Sequence, residues 1–81
     1  MNTLYFDGLR FSVTIEVECQ HTNLTNAEIA ELAGIGASTL YAIKNGTKTP
    51  SMAEFTHLCN IFDLSPLSFF KTGKVNNGEH H

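Results

Sequence analysis

Positive charge is scarce in this chain. Its 81 residues carry five lysines and arginines against eight aspartates and glutamates, for a net charge of −3. The basic excess that usually marks a DNA-binding domain is missing, so only a local field at one face could hold a polyanion. Long apolar runs are missing too. None approaches the ~20 residues that a membrane span requires, although apolar residues make up 42% of the chain, which suits a folded domain. The opening MNTLYFDGLR has no basic stretch followed by an apolar one. No signal peptide is therefore expected, and the expected compartment is the cytoplasm. There the two cysteines, Cys19 and Cys59, are expected as reduced thiols rather than a staple.

Catalytic signatures are lacking as well. The chain has no glycine-rich phosphate loop, nucleophile elbow or paired-carboxylate motif. A domain this small has room for one core and little more, so no enzyme is expected. Cys19-Gln20-His21 and His57-Leu58-Cys59 do bring two thiols and two imidazoles, the makings of a tetrahedral site. On a helix, however, the i,i+2 spacing turns the two side chains roughly 200° apart. Each helix then offers one ligand, and the spacings miss the usual finger pattern. No metal, cofactor or small-molecule ligand is expected, and both cysteines read as small core fillers.

The informative stretch is Leu24 to Pro50, LTNAEIAELAGIGASTLYAIKNGTKTP. Thr25 followed three residues later by Glu28 is a capping box. Ile29, Leu32 and Ala33 then fall on one helical face, and Gly34 ends the segment where a left-handed residue costs little. Gly36 opens a second helix whose buried side is marked by Leu40 and Ile43. Two short helices around a tight glycine-bearing turn are the sequence form of a helix-turn-helix. A polar loop with the αL-competent pair Asn45-Gly46 follows.

The flanks read as support. Asp7-Gly8 is a two-residue hairpin signal that would set Phe6 against Leu9 and Leu4 against Phe11. Alternation continues through Val13, Ile15 and Val17, as in a strand. Yet Phe11, Ile15 and Cys19 also repeat every fourth residue, as on a helix. The reading adopted is an N-terminal arm or β-hairpin over residues 1–12, then a first helix from about Val13 to His21, weak in intrinsic propensity. Leu9, Val13 and Val17 give that helix spare apolar surface, to be covered by the arm or by a dimer partner. Ser51 and Glu54 form a second capping box before a stripe of Met52, Phe55, Leu58, Cys59 and Phe62. Ser65-Pro66 restarts a helix that ends in Leu67, Phe69 and Phe70. Residues 71–81 are expected as a flexible tail.

Taken in order, these features resemble the Cro and phage-repressor type helix-turn-helix, the XRE family. The matching segments are LTNAEIAELAGIG, ASTLYAIKNGTKTPS and the closing FDLSPLSFF, with Ala30, Gly34, Thr39, Leu40, Gly46 and Pro50 at the family's positions. The resemblance implies an all-α fold: a compact five-helix, lambda-repressor-like domain over residues 13–70. It implies an operator-binding regulator of transcription, a repressor, acting as a homodimer on double-stranded DNA. The recognition helix, residues 37–44, would enter the major groove.

Carried over by position, Asn26 would touch the DNA backbone, and Ala37, Ser38, Tyr41 and Ala42 would face the groove. Thr39 would lie near a phosphate, and Asn45, Thr47 and Lys48 would form the loop that grips the backbone with amides and short polar groups. Family members often pair an arginine of the first helix with a glutamate late in the recognition helix. Cys19 and Lys44 stand there, so the resemblance implies no such ion pair and leaves Lys44 free to face phosphate. With no Arg, Gln or Asn before Asn45, specificity is expected to rest on thymine methyls, DNA shape and dimer spacing. Leu67 and Phe70, or Val13 and Val17, are the expected dimer surfaces. A module for protein contact, such as an antitoxin or partner-binding regulator, is the alternative.

Overall fold

The first and last described elements of the chain meet in one antiparallel ribbon. A computed structural model describes residues 2–74. In chain order these form β1 (Asn2–Phe6), α1 (Gly8–His21), α2 (Asn26–Ala33), α3 (Ala37–Asn45), α4 (Met52–Ile61), a single 3-10 turn (Pro66–Phe69) and β2 (Phe70–Lys74). β1 pairs with β2, with Phe6 opposite Phe70 and Asn2 opposite Lys74.

This corrects the expected all-α, five-helix, lambda-repressor-like arrangement. The described residues hold four α-helices, one 3-10 turn in place of the fifth helix, and a two-stranded sheet. The local hairpin is replaced as well. Asp7 does not turn the chain back but caps α1, its carboxylate accepting the Arg10 amide at 3.1 Å and its carbonyl the Phe11 amide at 3.1 Å. The helix therefore starts at Gly8 rather than Val13. The alternation of residues 2–6 is a true strand, but its partner lies at the other end of the sequence. Of the segment read as a tail, residues up to Lys74 belong to β2, and 75–81 lie outside the described residues.

The core is one apolar cluster. Phe11 and Ile15 come from α1, Ile29, Ala30 and Ala33 from α2, Leu40 and Ile43 from α3, and Phe55, Leu58 and Cys59 from α4, with Phe69 closing it. Leu32 and Met52, expected on buried faces, are exposed, and Phe62 is half-buried. The short helices give each core face only two or three positions, which smaller Ala30 shares on α2. α4 ends without a glycine, so Asp63 itself takes the left-handed conformation at φ 55°. His57 Nδ1 lies 3.0 Å from the Ala33 carbonyl and ties α4 to the end of α2.

Two cap carboxylates are expected to make stability depend on acid. The Arg10 amide above all, with Lys71 behind it, holds the Asp7 carboxyl below its ordinary range. The Glu54 carboxyl is lowered by its hydrogen bond from Lys48 and then by the Ser51 amide. A carboxyl lowered on folding binds its proton more weakly in the native state. It therefore contributes stability above the unfolded-state pKa and loses it as pH falls through the folded one. Urea midpoints measured from pH 7 downwards should hold steady, then drop once pH enters the ordinary carboxylate range. In Glu54→Gln the drop should shrink; an equal drop in that variant would remove Glu54 from the cause.

Candidate nucleic-acid interface

Helices α2 and α3 with their turn form the outward face that the sequence singles out. α2 is entered through a complete capping box: Thr25 Oγ1 accepts the Glu28 amide at 3.1 Å, and Glu28 Oε1 accepts the Thr25 amide at 2.8 Å. It is left through Gly34 at φ 70°, and the Ile35 amide then closes onto the Ala30 carbonyl at 2.9 Å. An added Cβ at Gly34 meets nothing within 4 Å, so the glycine is needed for its conformation and not for space. Half-buried Ile35 and extended Gly36 then set the start of α3.

Buried Leu40 and Ile43 hold α3 against α1 and α2, which leaves Ala37, Ser38, Tyr41 and Asn45 exposed on its outer side. Tyr41 is 66% exposed. Thr39 and Ala42 are half-buried on the flanks of this face. The first turn of α3 is neutral, whereas α2 and α4 carry Glu28 and Glu54 in theirs. Between α2 and α3 opens a cleft of about 230 Å³, lined by Asn26, Ala37, Leu40, Tyr41 and Lys44.

Lys44 differs from its expected role. It is not free: its Nζ lies 3.6 Å from Glu16 Oε1 and 3.3 Å from Asn26 Oδ1. An ion pair thus does join the first helix to the recognition helix, with the cation on α3 and Glu16, not Cys19, opposite it. Glu16 sits one turn before Cys19 on the same helical line, so spacing alone did not favour it. The ammonium links α1, α2 and α3, with only 12% of its side chain exposed.

The loop after α3 folds back on the helix it follows. Gly46 takes φ 78°, and the amides of Thr47 and Lys48 both donate to the Ala42 carbonyl, at 2.9 and 3.3 Å. These amides, expected to grip phosphate, are therefore occupied. What the loop presents outward is the exposed side chains of Asn45, Thr47 and Lys48. Lys48 Nζ donates to Glu54 Oε1 at 2.9 Å and to the Thr49 carbonyl at 3.4 Å. Exposed pairs of this kind contribute only about 0–1 kcal/mol, so a phosphate oxygen can compete for the ammonium.

The remaining expected positions lie away from this face. Val13 and Val17 are exposed on α1 beside Leu9, and the N-terminal arm does not cover them. Leu67 is exposed, but Phe70 is half-buried with its ring 5.6 Å from Phe6 and 5.9 Å from Phe55. Cys59 is buried and Cys19 half-buried, and burial pushes both thiols up. Among the described residues no group of three or more His, Cys, Asp or Glu is placed to hold a metal, and no helix is long and apolar enough to cross a membrane.

A family model described as a helix-turn-helix domain matches residues 20–73, two thirds of the chain. The match begins at the end of α1 and ends inside β2. No curated protein and no solved structure matches the chain.

Proposed function

The chain belongs to the helix-turn-helix domain family, and on that premise we propose that it is a DNA-binding transcriptional regulator. It acts in the cytoplasm as a Cro-like repressor, a homodimer whose two α3 helices enter successive major grooves of an operator about 34 Å apart. The observation that carries this reading is the outer side of α3: Ala37, Ser38 and Tyr41 stand exposed and uncharged beyond a turn that the protein fixes at Gly34. Ala37 suits a thymine methyl, Ser38 reads either hydrogen-bonding sense, and Tyr41 reaches a phosphate or stacks. Thr39 and Ala42 border the docked surface. Asn26, Asn45, Thr47 and Lys48 supply the backbone contacts, while Lys44 positions α3 through Glu16 and Asn26.

Lys48→Ala is expected to weaken binding to all duplexes alike and to lower the salt slope of log K by about 1. Fluorescence anisotropy over a salt series reads this directly. An affinity for a selected operator that ignores salt would defeat the phosphate-docking model.

A second reading, a module for protein contact such as an antitoxin, is favoured by one fact: Lys44 and Lys48, the cations nearest α3, both face carboxylates. Selection of bound sequences from random duplex DNA separates the two. An enriched inverted repeat supports the operator reading, and no enrichment supports protein contact.

A further inference from the structure

Three of the five residues of β1 turn their backbone polar groups toward no partner. The Asp7 amide donates to the Phe69 carbonyl at 2.7 Å, which makes these two residues a hydrogen-bonded pair of the ladder. Such pairs alternate along antiparallel strands. In the observed register the next ones are Tyr5 with Lys71 and Thr3 with Gly73. The N–H and C=O groups of Asn2, Leu4 and Phe6 therefore point away from β2. Among the described residues the sheet has two strands only, so nothing pairs with that edge. Its side chains are open too, Leu4 62% and Tyr5 47% exposed.

Free strand edges are ordinarily guarded by charge or proline. β2 carries Lys71 and Lys74, but Asn2–Phe6 has neither. We propose that this edge docks a second copy of the chain, β1 against β1, antiparallel about a two-fold axis at Leu4. The inference rests on the homodimer reading above and names its surface.

The second copy is the occupant because the edge is its own complement. Pairing about Leu4 sets residue 2 opposite residue 6 and residue 4 opposite itself. Every outward-pointing group then meets an outward-pointing group, with each such pair hydrogen-bonded. A slip of one residue sets outward groups against those already used by β2 and loses the ladder. Leu4 meets its own copy on the face it shares with Phe6, and Thr3 meets Tyr5 on the other, an aromatic and β-branched pair that strands favour. Each copy carries a net charge of −3, so two copies repel in general. The uncharged β1 edge lets them meet without facing like charges. One short strand makes a small contact, so association should rise with concentration.

Sedimentation equilibrium of the full chain without DNA tests this. The wild type should pass from monomer to dimer mass as concentration rises. Leu4→Lys sets two ammonium groups at the axis. Leu4→Pro removes the central donor, which β2 does not use. Both should stay monomeric over the same range, with far-ultraviolet circular dichroism like the wild type. High salt should partly restore the lysine variant but not the proline one. The double variant Val13→Asp, Val17→Asp should still dimerise. A wild type that is monomeric throughout removes the dimer altogether. Dimers surviving in folded Leu4→Lys, or lost only in the Val13, Val17 variant, overturn the β1 edge and leave the homodimer reading standing. Operator binding is measured separately and is not decided by either result.

Discussion

Phe55→Ala is expected to cost about 3–5 kcal/mol of unfolding free energy, the range for a large aromatic removed from a core. Few side chains in this domain touch as much. Phe55 is 5% exposed, and its ring centroid lies 4.9 Å from Phe11, 5.3 Å from Phe6, 5.9 Å from Phe70 and 6.1 Å from Phe69. These partners come from α1, both strands and the 3-10 turn, so one ring joins the ribbon to the helices. The contacts with Phe6, Phe69 and Phe70 are edge-on, the geometry that aromatic pairs prefer. Deleting the ring opens a cavity that aromatic neighbours cannot fill by small shifts. Small domains have roughly 5 kcal/mol to lose, near the low end for native proteins, so much of the population should unfold at room temperature. Urea titration followed by circular dichroism measures it, with Met52→Ala one turn away as the control. Met52 is 70% exposed, and its removal should stay within about 0.5 kcal/mol. A loss below ~1 kcal/mol at Phe55 would mean that the cluster is not what closes the domain.

What the sequence made legible follows the range of the interactions. Thr25 with Glu28 and Ser51 with Glu54 are capping boxes closed within three residues, and both are present as read. Gly34 and Gly46 also answer to local rules, and both take positive φ. The buried positions Ile29, Leu40, Ile43, Phe55 and Leu58 follow from helical periodicity. Periodicity misplaces only Leu32 and Met52, which are exposed, and the larger failures are non-local. Residues 2–6 alternate as a strand should, but alternation names no partner, and the nearest candidate lay across Asp7-Gly8. That dipeptide serves a turn and a helix cap equally well, since an aspartate can accept an amide in either. Only the return of Phe70 beside Phe6 decides for the cap. β2 itself, FKTGK, has two lysines and a glycine and resembles a tail when read alone. Its strand character comes from β1 and from Tyr5, whose ring covers Gly73 so closely that an added Cβ would lie 2.9 Å from it. The Lys44–Glu16 pair is illegible in the sequence for the same reason: it spans two helices whose crossing the sequence does not state.

Ser38→Glu is expected to move stability and DNA affinity in opposite directions. Ser38 is exposed in the first turn of α3, a turn with no acidic residue and no side-chain cap. Four unpaired amides and the positive end of the helix dipole gather there. A glutamate at that place is stabilising in an isolated protein, by about 0.3–1 kcal/mol. At a major-groove interface the same carboxylate faces bases and phosphates and meets no donor in place of the water it loses. One mismatched contact costs ~1–3 kcal/mol, so affinity for a selected operator should fall roughly ten- to a hundredfold. Non-specific binding should fall as well, because the added charge repels any duplex. Thermal unfolding and anisotropy on one preparation give both signs. A variant that gains stability and keeps its affinity would take α3 off the DNA and leave the protein-contact reading in its place. A variant that loses both would place Ser38 in a packed contact, which its exposure contradicts. Only the split result fits a helix whose N-terminal turn is kept neutral at a cost in stability, so that it can approach a polyanion.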